Sequence, residues 1–168
     1  LIYNPEDTKS LESTFIFMCT TKGTVKKTTL AEFKNIRSNG IIALKLTGDD
    51  ALLWARMTDG SKKIILATRD GKSIVFNESD VRPTGRSSQG VRGMNLEKTD
   101  SITSMDVYGK DEEDNLLLVL MAHGIGKKTP IKQYPVQKRG GKGVKIASID
   151  ERTGKVAFSG MVDTTHDG

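Results

Sequence analysis

An internal repeat constrains the fold of this 168-residue chain more than any other feature. The first set of landmarks is a glycine that follows an apolar run and a polar turn: Gly23, Gly71 and Gly124. The second set is a glycine that precedes a short apolar or basic segment: Gly40, Gly90 and Gly143. The intervals are 48 and 53 residues in the first set and 50 and 53 in the second, so both sets keep one register. Repeats this small cannot bury a core alone and must stack on their neighbours.

Each copy of the repeat predicts about four short β-strands. Apolar runs rich in Ile, Leu and Val alternate with clusters of Gly, Asn, Asp and Ser, a pattern typical of strands and turns. In the first copy the predicted strands are Phe15–Cys19, Val25–Thr28, Ile41–Leu46 and Leu52–Met57. The segment Leu30–Lys34 is predicted to form one helical turn. No segment has the sustained 3.6-residue periodicity that a long helix requires.

These patterns predict an all-β, propeller-like assembly of antiparallel blades with about four strands each. The predicted divisions are 1–14 as the end of a preceding blade and a linker, and 15–60, 61–113 and 114–168 as blades, the last one incomplete at its end. We expect Leu1–Tyr3 to be the last strand of the preceding blade. Because three blades cannot close a ring of the usual four to eight, we expect a partial disc that belongs to a larger parent.

Charge is segregated along the chain, whose formal net charge is +5. Residues 115–149 contain seven Lys and Arg and no acid, whereas residues 97–114 contain seven acids and two Lys. The segments 81–96 and 33–48 of the other two copies are also basic and free of acids. Stacking would align these portions into a continuous basic band, as expected of a surface that follows a DNA backbone. The alternative is that the cations only keep the surface soluble, although such surfaces usually mix both signs.

The segment 137–143 is the strongest candidate contact for nucleic acid. Its residues are Gln137, Lys138, Arg139, Gly140, Gly141, Lys142 and Gly143. The three glycines allow the main chain to approach phosphate oxygens, the arginine can fork onto a phosphate, and the lysines act as point charges. The glutamine can hydrogen-bond either DNA or the loop itself. The segment lacks the Gly-Lys-Ser/Thr ending of a P-loop and precedes a predicted strand, not a helix.

Further predicted DNA contacts are basic residues in and around the same portions of the three copies. They are Lys145, Lys127, Lys128, Lys132, Arg82, Arg86, Arg92, Lys26, Lys27 and Arg37.

No residue pattern predicts catalysis or a metal site. Cys19 lies in an apolar run and is expected to be a buried, inert thiol, so that no Cys–His pair forms with His123. The acidic run Asp111–Asp114 is typical of a solvated linker and lacks metal-ligand spacing. Trp54 is expected to pack in the core. No apolar stretch approaches the length of a membrane span.

The heptad at 137–143 resembles the gyrase A box, Gln-Arg-Arg-Gly-Gly-Lys-Gly with small variations, of the C-terminal domain of the bacterial DNA gyrase A protein. Shorter strings similar to that family occur at 26–28, 36–41, 69–71, 79–83, 90–93 and 126–130. The resemblance implies a β-pinwheel, a propeller-like disc with DNA bound around its basic rim. The heptad here lies on the third copy, whereas the family's principal box usually lies on the first blade. The second copy has a degenerate version at 85–90.

For function, the resemblance implies non-sequence-specific binding and wrapping of double-stranded DNA, in support of ATP-dependent negative supercoiling by a type II topoisomerase. The implied partners are gyrase B and the rest of the gyrase A protein in an A2B2 complex, located in the cytoplasm at the nucleoid. ATP and Mg²⁺ would be used elsewhere in the parent enzyme, and this chain is expected to hold no cofactor. Strand cleavage needs a tyrosine in a separate domain, and no tyrosine here lies in that family's cleavage motif.

Two alternative functions remain open on the residues alone. One is the C-terminal domain of the A protein of topoisomerase IV, whose boxes are typically more degenerate than the heptad found here. The other is a propeller that serves only as a protein-interaction scaffold and has no affinity for DNA.

Overall fold

The computed structural model describes residues 8–164, and within them the regular structure is almost entirely β. One α-helix, α1 (Thr8–Ser13), lies within this described range. The strands are β1 (Phe15–Thr20), β2 (Thr24–Thr29), β3 (Leu52–Thr58), β4 (Lys63–Thr68), β5 (Lys72–Asn77), β6 (Val91–Arg92), β7 (Ile102–Tyr108), β8 (Leu116–Met121), β9 (Gly126–Pro130), β10 (Val144–Lys145) and β11 (Val156–Val162). Short 3-10 turns follow four strands, at Leu30–Phe33, Glu78–Asp80, Lys110–Glu112 and Ile131–Gln133. The expected all-β class and the turn after β2 are confirmed; Leu1–Tyr3 lie outside the described residues.

The strands form three antiparallel sheets, one for each copy of the repeat. The first sheet has the order β3-β1-β2-β6, the second β7-β4-β5-β10, and the third β11-β8-β9. Each sheet contains one hairpin, β1-β2, β4-β5 or β8-β9, and its turn ends in a glycine with φ near +85°: Gly23, Gly71 and Gly124. In the first two hairpins the glycine N–H donates to the carbonyl of Thr20 or Thr68 at 3.1 Å. The positive φ explains why glycine marks this position in every copy.

The outer strand of each of the first two sheets comes from the next copy of the repeat. Strand β6 pairs with β2 through Val91 and Val25, and β10 pairs with β5 through Val144 and Ser73. Four strands of one copy therefore do not make one sheet, which differs from the sequence-based expectation. The predicted strand Ile41–Leu46 is also wrong, because residues 41–47 have no regular structure. This segment occupies the place of β6 and β10 in its copy, and no preceding sheet lies among the described residues to pair with it.

The second sheet is buried on both faces. Along β4, Ile64 and Leu66 belong to the core shared with β1 of the first sheet. The alternate residues Ile65 and Ala67 belong to the core shared with β8 of the third sheet. Successive side chains of a strand point to opposite faces, so a strand between two sheets must be apolar throughout. Full burial of an Ile or Leu side chain stabilises the fold by about 1.5–3 kcal/mol, so this strand anchors the stack.

Strand β7 contacts β3 of the first sheet and β11 of the third, so these three strands lie on one side of the stack. Strands β6 and β10 stand at the opposite edges of their sheets. We call the segments 82–92 and 137–145, which contain these outer strands and the loops before them, the rim. The basic portions of the second and third copies thus lie on the same side of the stack.

Two residues that sequence reasoning assigned to the core do pack there. Cys19 is 0% exposed, and its burial, with a smaller effect of the Asp50 carboxylate, raises the pKa of the thiol far above its usual value. Trp54 is half-buried against the same core, and its Nε1–H donates to the carbonyl of Thr103 at 3.3 Å. The described residues contain no helix with the length and apolarity that a bilayer crossing requires. Within 8–164, no three His, Cys, Asp or Glu side chains are grouped to hold a metal ion.

Candidate nucleic-acid interface

The box loop (137–143) is held against the preceding copy by its own backbone. The N–H of Gln137 donates to the carbonyl of Val75 on β5 at 2.7 Å. The N–H of Gly140 donates to the carbonyl of Gly93, directly after β6, also at 2.7 Å. Such bonds satisfy backbone groups that would otherwise need water, and they give the loop a fixed place on the rim. The exposed side chain of Gln137 is not part of this anchoring.

Gly143 is required by strand pairing. Its φ is +75°, and a Cβ at this position would lie 2.3 Å from the carbonyl oxygen of Ser73 on β5. Gly90 holds the equivalent place before β6, where a Cβ would lie 2.6 Å from the carbonyl oxygen of Val25. Both contacts are shorter than a side chain tolerates, so only glycine allows the outer strand to join the sheet. The predicted approach of the backbone to phosphate is thus replaced at Gly143 by an approach to another strand.

Three lysines of the rim are exposed and available. Lys138 and Lys142 project from the box loop, and Lys145 lies on β10. None of the three forms an ion pair or hydrogen bond with another residue in the part of the chain that the structure describes. Arg92 is exposed at the position of β6 that corresponds to Lys145. The repeat therefore places a free cation at the same point of two successive outer strands, where a phosphate backbone can bind.

Arg139 is engaged with the protein's own backbone. Its side chain is partly buried, with Nε–H donating to the carbonyl of Asp80 and Nη1–H to the carbonyl of Arg92, both at 3.1 Å. The guanidinium therefore forks onto two carbonyl oxygens of the preceding copy. Two of its five N–H donors are engaged in this way, and the flat group is fixed in orientation.

Lys26 is enclosed by protein and cannot contact DNA, which corrects the sequence-based prediction. It is 1% exposed, and its ammonium donates to the carbonyls of Ala43 (2.9 Å), Arg86 (2.6 Å) and Ser88 (3.2 Å). An ammonium has three donors, so all of them are used. Burial, and then the nearby Arg86 charge, lowers the pKa of Lys26 from its ordinary value. This lysine ties the loop 85–90 to the first sheet.

Lys27 is likewise buried, at 4% exposed, and is removed from the set of DNA contacts. Its ammonium donates to the backbone carbonyl of Glu78 at 3.0 Å and lies 3.6 Å from the Oε1 of the same residue. Glu78 is 0% exposed and also accepts hydrogen bonds from Thr58 Oγ1 and the N–H of Lys62, each at 2.9 Å. This network joins the first sheet to the second copy. Sequence reasoning missed Glu78, which no motif marks.

The remaining predicted DNA contacts differ in how far their side chains are exposed. Arg82 and Arg37 are exposed. Arg86 is partly buried and its Nη1–H donates to the carbonyl of Ile42 at 3.2 Å. Lys127 and Lys128 are exposed on β9, the edge strand of the third sheet.

Lys132 is exposed and forms an ion pair with Asp114. Its hydrogen bond with that carboxylate raises the pKa of Lys132 above its ordinary value. Part of its charge is therefore already balanced by the acidic segment 97–114, and the lysine is a weaker candidate for binding phosphate than those of the box loop.

Stacked antiparallel sheets that exchange outer strands, with unpaired cations along the rim, define a propeller-type repeat domain with a basic edge. The sequence model of the family described as "DNA gyrase C-terminal domain, beta-propeller" matches residues 14–59, 62–108 and 122–161. The chain belongs to this family. The first two matched ranges begin just before β1 and β4, and the third begins directly after β8.

Individual relatives agree with this assignment. The chain is 44% identical over 145 residues to the DNA gyrase A protein of Haloquadratum walsbyi, covering 86% of this chain and 17% of that protein. The solved C-terminal domain of DNA topoisomerase IV matches with a TM-score of 0.84 at 27% identity, over 90% of this chain and 47% of the other. The solved DNA gyrase A C-terminal domain matches with a TM-score of 0.78 at 27% identity, over 93% and 52%. The chain therefore spans about a sixth of the curated relative and about half of each solved domain.

Proposed function

We propose that this chain binds double-stranded DNA along its rim, without sequence specificity, and bends it. The observation that carries the proposal is the set of exposed, unpaired cations on the rim. They are Arg82, Arg92, Lys138, Lys142 and Lys145. Contacts to phosphate fix the position of a duplex without reading its bases. The proposed bending rests on cations at equivalent points of successive outer strands, because a duplex that binds all of them must follow the direction in which these strands succeed one another.

We extend the proposal to a longer protein of the kind that the gyrase A relatives represent. The wrapped DNA would be presented to the other parts of a gyrase-type topoisomerase, in support of ATP-dependent negative supercoiling by an A2B2 complex with gyrase B. ATP and Mg²⁺ would act outside this chain, and the rim itself would perform no chemistry. The site of action would be the nucleoid in the cytoplasm.

The blades of this domain are proposed to correspond to residues 15–60, 61–113 and 114–168. Each of the last two lends its short outer strand to the blade before it. The segment 1–14 would connect to a preceding blade. Such an exchange links consecutive blades through backbone hydrogen bonds, which resists any change in the angle between them.

A topoisomerase IV type of domain is the second candidate, favoured by the TM-score of 0.84 to that enzyme's C-terminal domain. The intact heptad at 137–143 and the 44% identity to a gyrase A protein favour the gyrase type. Under either candidate the proposed DNA-binding surface is the rim.

Titration of the protein with two duplexes of unrelated sequence at several salt concentrations tests the proposal. If the five rim cations each contact one phosphate, the logarithm of the binding constant should fall with the logarithm of salt concentration with a slope of about −4 to −5. The two duplexes should bind with similar affinity. Absence of binding at physiological salt would reject the proposal in favour of a protein-interaction scaffold.

A further inference from the structure

The contacts of Arg139 connect two different sheets. The carbonyl of Arg92 belongs to β6, which is the outer strand of the first sheet. The carbonyl of Asp80 ends the turn that follows β5 of the second sheet. A single guanidinium thus bridges two neighbouring sheets at the rim.

The same contact occurs once more in the chain, one copy earlier. Arg86 donates from Nη1 to the carbonyl of Ile42 at 3.2 Å. Arg86 and Arg139 are 53 residues apart, and Ile42 and Arg92 are 50 apart, which are the intervals between the second landmark glycines. The donor and the acceptor are therefore equivalent residues in both copies. Because the contact is kept while the sequence around it differs, it is an element of the repeat itself.

The two versions of the contact differ in strength. Arg139 uses both Nε and Nη1, whereas the Nε of Arg86 is buried without a hydrogen-bond partner. Backbone bonds reinforce the contact of Arg139 from both sides. The N–H of Gly140 donates to Gly93, and the N–H of Asn95 donates to the carbonyl of Gly141 at 2.8 Å.

We propose that Arg139 is a latch between the first and second sheets: a positioning residue that sets the angle between successive blades while the lysines beside it bind phosphate. The part of this inference that concerns DNA rests on the proposed function. The rigid fork of a guanidinium reaches two carbonyl oxygens in a fixed geometry, which the single ammonium of a lysine does not reproduce. The curvature of the rim, and so the path of the DNA, depends on this geometry.

The variant R139K separates the two roles because it keeps the charge and removes the fork. Its matched control is K142A, which removes a charge from the same loop and leaves the fork intact. The first experiment needs no DNA and measures amide hydrogen exchange in the full chain. In R139K the amides of Gly140 and Asn95 should exchange at least tenfold faster, with no change in β4, and in K142A they should be unchanged. Unchanged exchange of these two amides in R139K would overturn the latch.

The second experiment measures binding and linking number with the same variants. R139K should keep the salt slope of the wild type within half a unit, yet lose at least half of the linking-number shift for each bound protein. K142A should lose about one unit of slope. A linking-number shift in R139K as large as that of the wild type would overturn the proposal. A third variant, R139A, gives a second test: if it loses one unit of salt slope while the amides of Gly140 and Asn95 exchange as in the wild type, the arginine binds phosphate and is not a latch. If the wild type binds no duplex, the proposed function fails. The amide exchange of Gly140 and Asn95 in R139K then still tests whether Arg139 holds the two sheets together.

Discussion

Replacement of Lys138, Lys142 and Lys145 by alanine together is expected to weaken duplex binding by about 10² to 10³-fold at 0.1 M salt. Each phosphate contact contributes about 0.9 to the slope of the logarithm of affinity against that of salt concentration, so the slope should fall by roughly 2.7. The loss should be the same for duplexes of different sequence, because phosphate contacts carry no sequence information. Fluorescence anisotropy titrations at four or more salt concentrations measure both quantities.

The matched control removes three lysines from other parts of the surface. Lys9 lies on α1, and Lys98 and Lys110 lie in the acidic segment 97–114; all three are exposed. Their replacement by alanine changes the net charge of the chain by the same amount. It should change the slope by less than one unit. Equal effects of the two triple variants would mean that net charge, and not the rim, attracts the DNA.

Glu78→Gln is expected to lower the free energy of unfolding by about 3–5 kcal/mol. It removes one partner of a buried ion pair and leaves the ammonium of Lys27 without a balancing charge in a dry environment. For a chain of this size the midpoint of thermal unfolding should fall by roughly 10 °C. The double variant with Lys27→Met should recover much of the loss, because it leaves no buried charge without a partner. Thermal unfolding followed by circular dichroism measures these shifts.

The same substitution at Glu113 is the control. Glu113 forms an ion pair with Lys63, and the side chains are 34% and 27% exposed. Surface pairs of this kind contribute about 0–1 kcal/mol, so Glu113→Gln should shift the midpoint by no more than a few degrees. If the two variants unfold at the same temperature, the buried network between the first two sheets does not stabilise their contact.

The repeat and its hairpins could be predicted from sequence because they depend on local rules. A glycine with positive φ is needed at each hairpin turn, so Gly23, Gly71 and Gly124 mark the copies directly. The apolar runs before these turns became β1, β4 and β8. The charge segregation predicted exposed basic side chains, and the rim holds them at Arg82, Arg92, Lys138, Lys142 and Lys145.

The exchange of strands could not be predicted from the same rules. Strands β6 and β10 are only two residues long, and nothing local tells whether such a segment pairs within its own copy or with the copy before. The choice depends on the tertiary position of the preceding sheet. In the sequence this pairing is marked by Gly90 and Gly143, which the close contacts of the folded chain require. A glycine in a basic loop can equally indicate a phosphate-binding loop, so the sequence alone does not reveal the pairing.

The burial of Lys26 and Lys27 was not predicted from the sequence. Their equivalents in the second copy are Ile74 and Val75, both buried and apolar. The equivalents in the third copy, Lys127 and Lys128, are exposed, because β9 is an edge strand whereas β2 is covered by β6 and the loop before it. Whether a lysine at this position is buried therefore depends on the following copy, which the sequence of one copy does not show.

Arg139 shows the limit of a motif interpreted by composition alone. The residue types of the box loop favour phosphate binding, but the hydrogen bonds of the arginine go to the carbonyls of Asp80 and Arg92. Carbonyl and phosphate oxygens attract the same donors, and only the folded chain decides between them. The motif thus combines a structural arginine with lysines that are free to bind phosphate.

The linking number of circular DNA measures wrapping most directly. Relaxed circles are closed by ligase in the presence of increasing amounts of the protein, and the topoisomers are separated after the protein is removed. We expect a shift of one sign that grows with the amount of bound protein and is lost in the triple variant at Lys138, Lys142 and Lys145. An unchanged linking number at saturating protein would mean that the rim binds DNA without bending it into a chiral path, and would contradict the account.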